Sequence, residues 1–247
     1  RADVIQPAAY LYQAAMEGAG LPAMVVPEVG LRDGLLWQMV DPLVAPKALS
    51  TPDEVVYQMA LDIGERYRFD RVHAEQSARL AGKLFDQLAE LHRLQPSDRY
   101  LLVAAALLHD VGHLVNHGRH HLHTYYLIKN ADFYGLSHRE QELVAQVAKF
   151  HRKGDPDPGR YPEFAALSHQ DRVRVTKLTA LLRIADALDR THAATISDVR
   201  ASQDDGTVTL RVAGPVDINI ERWAVAKKAG LFKRVFLTNI AVEPLEG

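Results

Sequence analysis

The stretch LLHDVGHLVNHGRHHLHTYYL, Leu107 to Leu127, holds six of the chain's twelve histidines and an adjacent His109–Asp110 pair at its head. Imidazoles and a carboxylate at that density point to a metal site or to a polar, histidine-rich loop. The run leading into the pair, YLLVAAALLHD, is apolar nearly all round and therefore reads as a buried helix. An unpaired buried carboxylate costs several kcal/mol, so Asp110 needs a cation or hydrogen-bond donors.

Partners stand on other helical stripes. His73 opens the apolar stripe that continues through Leu80, Leu84 and Leu88. Asp186 follows Leu178 and Leu182 on the core face of LTALLRIADALDR. His151 ends LVAQVAKFHRK with Val147 and Leu143 behind it, and His123 precedes Leu127 by one turn. Imidazole and carboxylate groups on the inner faces of separate helices are how helical proteins build metal sites. This donor set suits a first-row divalent metal, or a hard cation with water completing its shell. The plainer readings are a hydrogen-bonded core histidine and an Asp186 paired with Arg183 or Arg190. His113, His117, His120 and His138 fall in loops or at helix ends and are expected to be solvated, with His120 able to face a phosphate. Asp189 either supports Asp186 or ends its helix.

These residues need a helical frame. Helices are predicted near residues 53–67, 71–92, 98–110, 119–131, 137–151 and 169–192, broken at Pro96, Gly112, Gly118, Gly135 and the loop GDPDPGRYPEF. Ahead of them lie a helix at about Val4 to Glu17, a short strand AMVVPEV and a helix from about Gly30. That α-β-α piece is too small to cover a sheet, so it reads as the trailing edge of an α/β domain. The proline-bearing DPLVAPKALSTPDE is a linker, with Ser50 or Thr51 capping the next helix and Pro52 in its first turn. After residue 195 the period changes: TVTLRV and VDINIE alternate as strands, ERWAVAKKAGL suits a helix and RVFLTNIAV a closing strand. The expected fold class is mainly α. Residues 1–41 form a terminal piece, 42–52 a linker, 53–195 a helical domain and 196–247 a small β-β-α-β extension.

The net charge of -2 gives no basic field for bulk nucleic-acid binding. The absence of cysteine removes thiolate ligands, disulfides and cysteine nucleophiles, and fits a reducing cytoplasm. No apolar run is long enough to span a membrane, and the N-terminus does not read as a signal peptide. The chain begins with Arg1, as a fragment or processed piece would.

The order His73, His109–Asp110, Asp186 resembles the HD superfamily of metal-dependent phosphohydrolases, and His123 and His151 match the extra histidines of members that hold two metals. The flanks LLHDVGHLVNHGRHHLHTYYLIKNADFYGLSHREQELVAQVAKFHRK and LLRIADALDRTH are similar to the C-terminal HD domain of the exopolyphosphatase / guanosine pentaphosphate phosphohydrolase (Ppx/GppA) family. RADVIQPAAYLYQAAMEGAG with VVPEVGLRDGLL resembles the last segment of that family's actin-like phosphatase domain, and VDINIERWAVAKKAGLFKRVFLTNI its C-terminal extension. In that family the polyphosphatase chemistry uses Gly-rich phosphate loops and a glutamate ahead of this region. Here only GLRDGLL carries two glycines near the start, so the main polyphosphatase site is expected to lie outside this chain.

The resemblance implies a divalent metal (Mg, Mn, Fe, Ni or Zn) on His73, His109, Asp110 and Asp186. It assigns His123 and His151 to a second metal or a phosphate. Arg119, Lys149, Arg152 and Lys153 would bind further phosphates of a small molecule or of polyphosphate. Such a site hydrolyses phosphoesters through a metal-activated water and needs no side-chain nucleophile. The alternative is a non-catalytic module for polyphosphate binding or dimerisation of the parent phosphatase, partnered by its missing N-terminal domain. A purely structural polar network is the third reading, and it leaves buried acids without a cation.

Overall fold

The computed structural model describes residues 5–23, 30, 51–152, 154–214 and 217–245. Contacts divide the chain into two compact units, Arg1–Ala48 and Leu49–Gly247. In the first, helix α1 (Ile5–Ala19) ends at Gly20, whose φ of 65° turns the chain. The strand predicted at AMVVPEV, the helix from Gly30 and most of the linker fall outside the described residues.

The second unit is a helical body with a small sheet. Helix α2 (Pro52–Arg66) starts at a capping box in which Thr51 accepts from Glu54 N–H and the Glu54 carboxylate accepts from Thr51 N–H, with Pro52 in its first turn. The helix predicted at 71–92 is two, α3 (Arg71–Gln87) and α4 (Ala89–His92). After the break at Leu88 the buried His92 ring folds back: its Nε2 lies 2.8 Å from the Phe85 carbonyl and its Nδ1 accepts from Leu94 N–H.

Helix α5 (Asp98–Leu108) is the axis of the body and packs against α2, α3 and two later helices, α7 (His138–Lys149) and α9 (His169–Ala187). That explains its apolar circumference: Leu101, Leu102, Leu107 and Leu108 are all buried. It stops before His109, and a 3-10 turn follows at Val111–Leu114. Helix α6 (His120–Lys129) secures this end. Thr124 Oγ1 donates to the His109 carbonyl at 3.0 Å and accepts from Gly112 N–H at 3.1 Å. A Cβ at Gly112 would meet the His120 carbonyl at 2.1 Å, so only glycine lets α6 approach this closely.

Ser137 and Ser168 cap α7 and α9, and a one-turn helix α8 (Pro162–Ala165) lies between them. Away from the α6 end, Asp98 is buried against Arg174 at 2.6 Å, while Asp171 takes Arg139 and Arg174.

The C-terminal order is β-β-α-β, but not with the strands expected: TVTLRV lies in the second strand, and the first, Asp198–Asp204, was not predicted as one. Strands β1 (Asp198–Asp204) and β2 (Thr207–Ala213) form a hairpin on Asp205 and Gly206, both at positive φ. Helix α10 (Asn219–Phe236) crosses over to β3 (Asn239–Pro244), which runs parallel to β2. In the predicted strand VDINIE, Asp217 and Ile218 are irregular and Asn219, Ile220 and Glu221 open α10, while Val216 lies outside the described residues. Helix α10 packs on α9 and β1 on α3, so this piece belongs to the same unit as the helices. No described helix is long and apolar enough to cross a membrane.

Candidate metal centre

Five helix ends meet beside α5. They are the start of α3 with His73, the end of α5 with His109 and Asp110, the start of α6 with His120, the end of α7 with His151 and the end of α9 with Asp186. His73, His109, His120 and His151 are each 3% exposed or less, so their ring nitrogens must find most of their partners within the protein.

The rings are oriented from behind. His73 Nδ1 lies 2.8 Å from Asp189 Oδ2, His109 Nδ1 2.6 Å from the Ala106 carbonyl and His151 Nδ1 2.7 Å from the Ala148 carbonyl. An acceptor at Nδ1 places the proton there and turns the Nε2 lone pair inward, the arrangement metal-binding histidines use. His120 differs in that its Nδ1 lies 3.0 Å from the His117 carbonyl and 3.2 Å from the Arg152 guanidinium.

The inward nitrogens come in pairs. His73 Nε2 and His109 Nε2 are 3.2 Å apart, as are His120 Nε2 and His151 Nε2. Two lone pairs cannot face each other at that range without a proton or a cation between them. Two metal–nitrogen bonds of about 2.1 Å subtend roughly 3.0 to 3.4 Å at octahedral or tetrahedral angles, so the spacing fits a shared ion. Asp110 joins the pairs. Its Oδ2 lies 3.6 Å from His109 Nε2, and its Oδ1 lies 3.2 Å from His120 Nε2 and 3.3 Å from His151 Nε2. The described residues thus hold two groups that share Asp110: His73–His109–Asp110 and Asp110–His120–His151. Asp186 stands beside the first, its Oδ1 3.6 Å from His73 Nε2 and 4.0 Å from His109 Nε2.

Electrostatics sorts the protons. Burial alone would lower His73, but the Asp186 and Asp189 carboxylates outweigh it and raise the ring to about 9. Burial pushes His109 down to about 4, against the pull of Asp110 and Asp186. With no metal bound, the proton between these rings therefore sits on His73. Burial would raise both carboxyls as well. His109, His113, His120 and His151 instead hold Asp110 well below the usual carboxylate range, and Lys228, His73, His109 and His151 do the same for Asp186.

A cleft of about 420 Å³ opens onto the cluster. Asp110, His120, His151 and Asp186 line it, together with the basic Arg152, Arg190, Lys227 and Lys228 and with Trp223.

The structure therefore gathers His73, His109, Asp110, Asp186 and His151. It keeps His123 outside both groups, because the inward stripe of α6 is His120, Thr124 and Ile128. That i, i+4, i+8 run ending in Ile128 was the signal for His120, and the stripe ending at Leu127 obscured it. Of the residues assigned to phosphate, Arg152 lines the cleft. Lys149 is buried, ion-paired with Glu163 and set over the Tyr161 ring at 4.4 Å, so it is not available to a ligand in the cleft. Arg119 is exposed and not among the cleft residues, and Lys153 lies outside the described residues. Asp189 supports His73 at Nδ1, while Asp186 faces the other ring nitrogen, Nε2. Arg190, Trp223, Lys227 and Lys228 come from segments whose docking no local sequence pattern announces.

Residues 57–221 match the model of the Ppx/GppA phosphatase family, domain III. Similar proteins include the guanosine-5'-triphosphate,3'-diphosphate pyrophosphatase of Vibrio campbellii, 28% identical over 169 residues, covering 68% of this chain and 32% of that protein. The pyrophosphatase of the same name from Vibrio vulnificus is 26% identical over 194 residues, covering 78% of this chain and 36% of its own length. The chain thus spans about a third of the length of these relatives. The matched region takes in α5 to α9 and every residue of the histidine–aspartate cluster, and on that match the chain belongs to the Ppx/GppA phosphatase family, of which it carries domain III.

Proposed function

We propose that this region is an HD-type metallophosphohydrolase site holding divalent metal on His73, His109, Asp110 and Asp186. A second position uses Asp110, His120 and His151. The observation that carries the reading is the ring orientation: three imidazoles with Nδ1 tied to acceptors turn Nε2 inward, His73 and His109 toward one position and His151 toward a second, with Asp110 shared between the two. A bound divalent ion would supply a Lewis acid for a phosphate oxygen and lower the pKa of a water to near neutrality. The chain's own residues do the rest. Asp189 and the Ala106 and Ala148 carbonyls fix the rings. Arg152, Arg190 and Lys227 meet the negative charge of a phosphate in the cleft. No side-chain nucleophile is required.

The substrate we propose is a phosphate-bearing small molecule or the end of a polyphosphate chain. The relatives' named activity on guanosine-5'-triphosphate,3'-diphosphate makes such nucleotides the first to try. The test is metal content after purification without chelator, followed by hydrolysis of a generic phosphodiester by the wild type and by His109→Ala. Bound metal with activity lost in the variant supports the reading. A protein that loads no metal when supplied with it sinks it.

A second reading, a non-catalytic module for polyphosphate or dimerisation of the parent phosphatase, draws on the basic residues of the cleft. Polyphosphate binding that is indifferent to metal, with no hydrolysis, would favour it.

A further inference from the structure

Asp186 is the member of the proposed ligand set that does not yet stand with the others. The ligand atoms of His73, His109 and Asp110 lie within 4.8 Å of one another, and Asp186 is outside that group. Its Oδ1 faces the histidines, while its Oδ2 accepts from the Lys228 ammonium. Lys228 arrives from α10, 42 residues away in sequence, in the C-terminal piece rather than the helices that supply the ligands.

A buried carboxylate needs a positive neighbour, and breaking such a pair is costly. Asp186 has one before any metal arrives. Lysine rather than arginine matters here, because an ammonium is a single point charge on a flexible four-carbon stem, whereas a guanidinium would lock the carboxylate in a two-point clamp. The Lys228 side chain is 21% exposed and lines the cleft, so it has a route off Asp186.

We infer that Lys228 is a tethered counter-cation of this centre: it competes with the divalent metal for Asp186 and so sets how tightly the metal is held. The inference rests on the reading of the cluster as a metal site. A metal drawn to Asp186 Oδ1 meets the ammonium's repulsion across the same carboxylate, and loading must displace Lys228 or tolerate it. Helix α10 is thereby tied to the occupancy of a site to which it contributes no ligand.

The experiment titrates Mn²⁺ alone, by calorimetry and by melting temperature, into the wild type, Lys228→Met and Lys228→Arg. The Met variant should melt lower than the wild type without metal, because Asp186 loses its partner. It should bind Mn²⁺ about tenfold more tightly or better, since a competing unit charge a few ångströms away is gone. The Arg variant keeps the charge and should not show that gain. A merely structural lysine would lower melting with and without metal and leave affinity unchanged or weaker. Affinity in Lys228→Met no higher than wild type overturns the inference, as does an equal gain in Lys228→Arg. Should the Met variant not fold, Lys228→Gln removes the same charge and is read the same way. A wild type that takes up no Mn²⁺ fails earlier: it overturns the metal-site reading and this inference with it.

Discussion

Metal binding to this site should tighten as pH rises, because His73 must give up a proton before it can ligate. The ring is raised to about 9 by Asp186 and Asp189, so it is protonated throughout the neutral range. His109, lowered to about 4, is already neutral there and releases nothing. A metal held on the proposed ligands would therefore displace one proton from the first pair. Each pH unit below the His73 value costs 1.36 kcal/mol, so affinity should rise about tenfold per unit from roughly pH 6 to 8.5 and level off above about 9. Calorimetry in buffers of different ionisation enthalpy should count about one proton released by His73 per metal at pH 7. The metal-free protein should show the opposite trend. The stability from the His73 charge is complete below the unfolded imidazole value near 6.5 and is lost as pH rises through about 9, about 3 kcal/mol in all. Removing Asp189, which lies 2.8 Å from His73 Nδ1, should move the plateau to lower pH. Affinity that levels off near pH 6.5 in the wild type, as for an ordinary imidazole, would refute the reasoning.

Gly112→Ala should cost several kcal/mol in denaturant unfolding, since its Cβ would press on the His120 carbonyl, and should reduce metal stoichiometry by displacing α6 from the second position. Asp98→Ala should destabilise by about 2 kcal/mol, measured by chemical denaturation, because it removes one of the two carboxylates on Arg174 and leaves Asp171, while metal affinity stays unchanged. His117→Ala should leave metal stabilisation nearly intact, since His117 lines the cleft but joins neither ligand group; a thermal-shift titration decides it.

What the sequence made legible follows from periodicity. His73, Asp186 and His151 each sit on an apolar helical stripe, and a stripe reports which side of a helix faces inward whatever it packs against. The helical body and the strand at TVTLRV were legible for the same reason, whereas Asp198–Asp204, with only Val199 buried, carries no apolar alternation to read. His120 was not, because α6 begins with His120, His121 and His123 in nearly one turn, and the choice among them depends on how closely Gly112 lets that turn approach α5. The setting of Lys149 was not legible because its partner is long-range: Glu163 lies beyond a loop and pairs with its ammonium. Lys228 was invisible for a similar reason. A lysine on an amphipathic helix looks solvated until the packing of α10 against α9 brings it to Asp186.

The most direct measurement is a crystal structure of the protein soaked with Mn²⁺, with anomalous scattering recorded. The expected result is one peak about 2.0–2.2 Å from His73 Nε2, His109 Nε2 and the Asp110 and Asp186 carboxylates. A second peak is expected between Asp110, His120 and His151, and His109→Ala should lose the first. Full soaking that leaves no anomalous peak within ligand range of His109 would contradict the account.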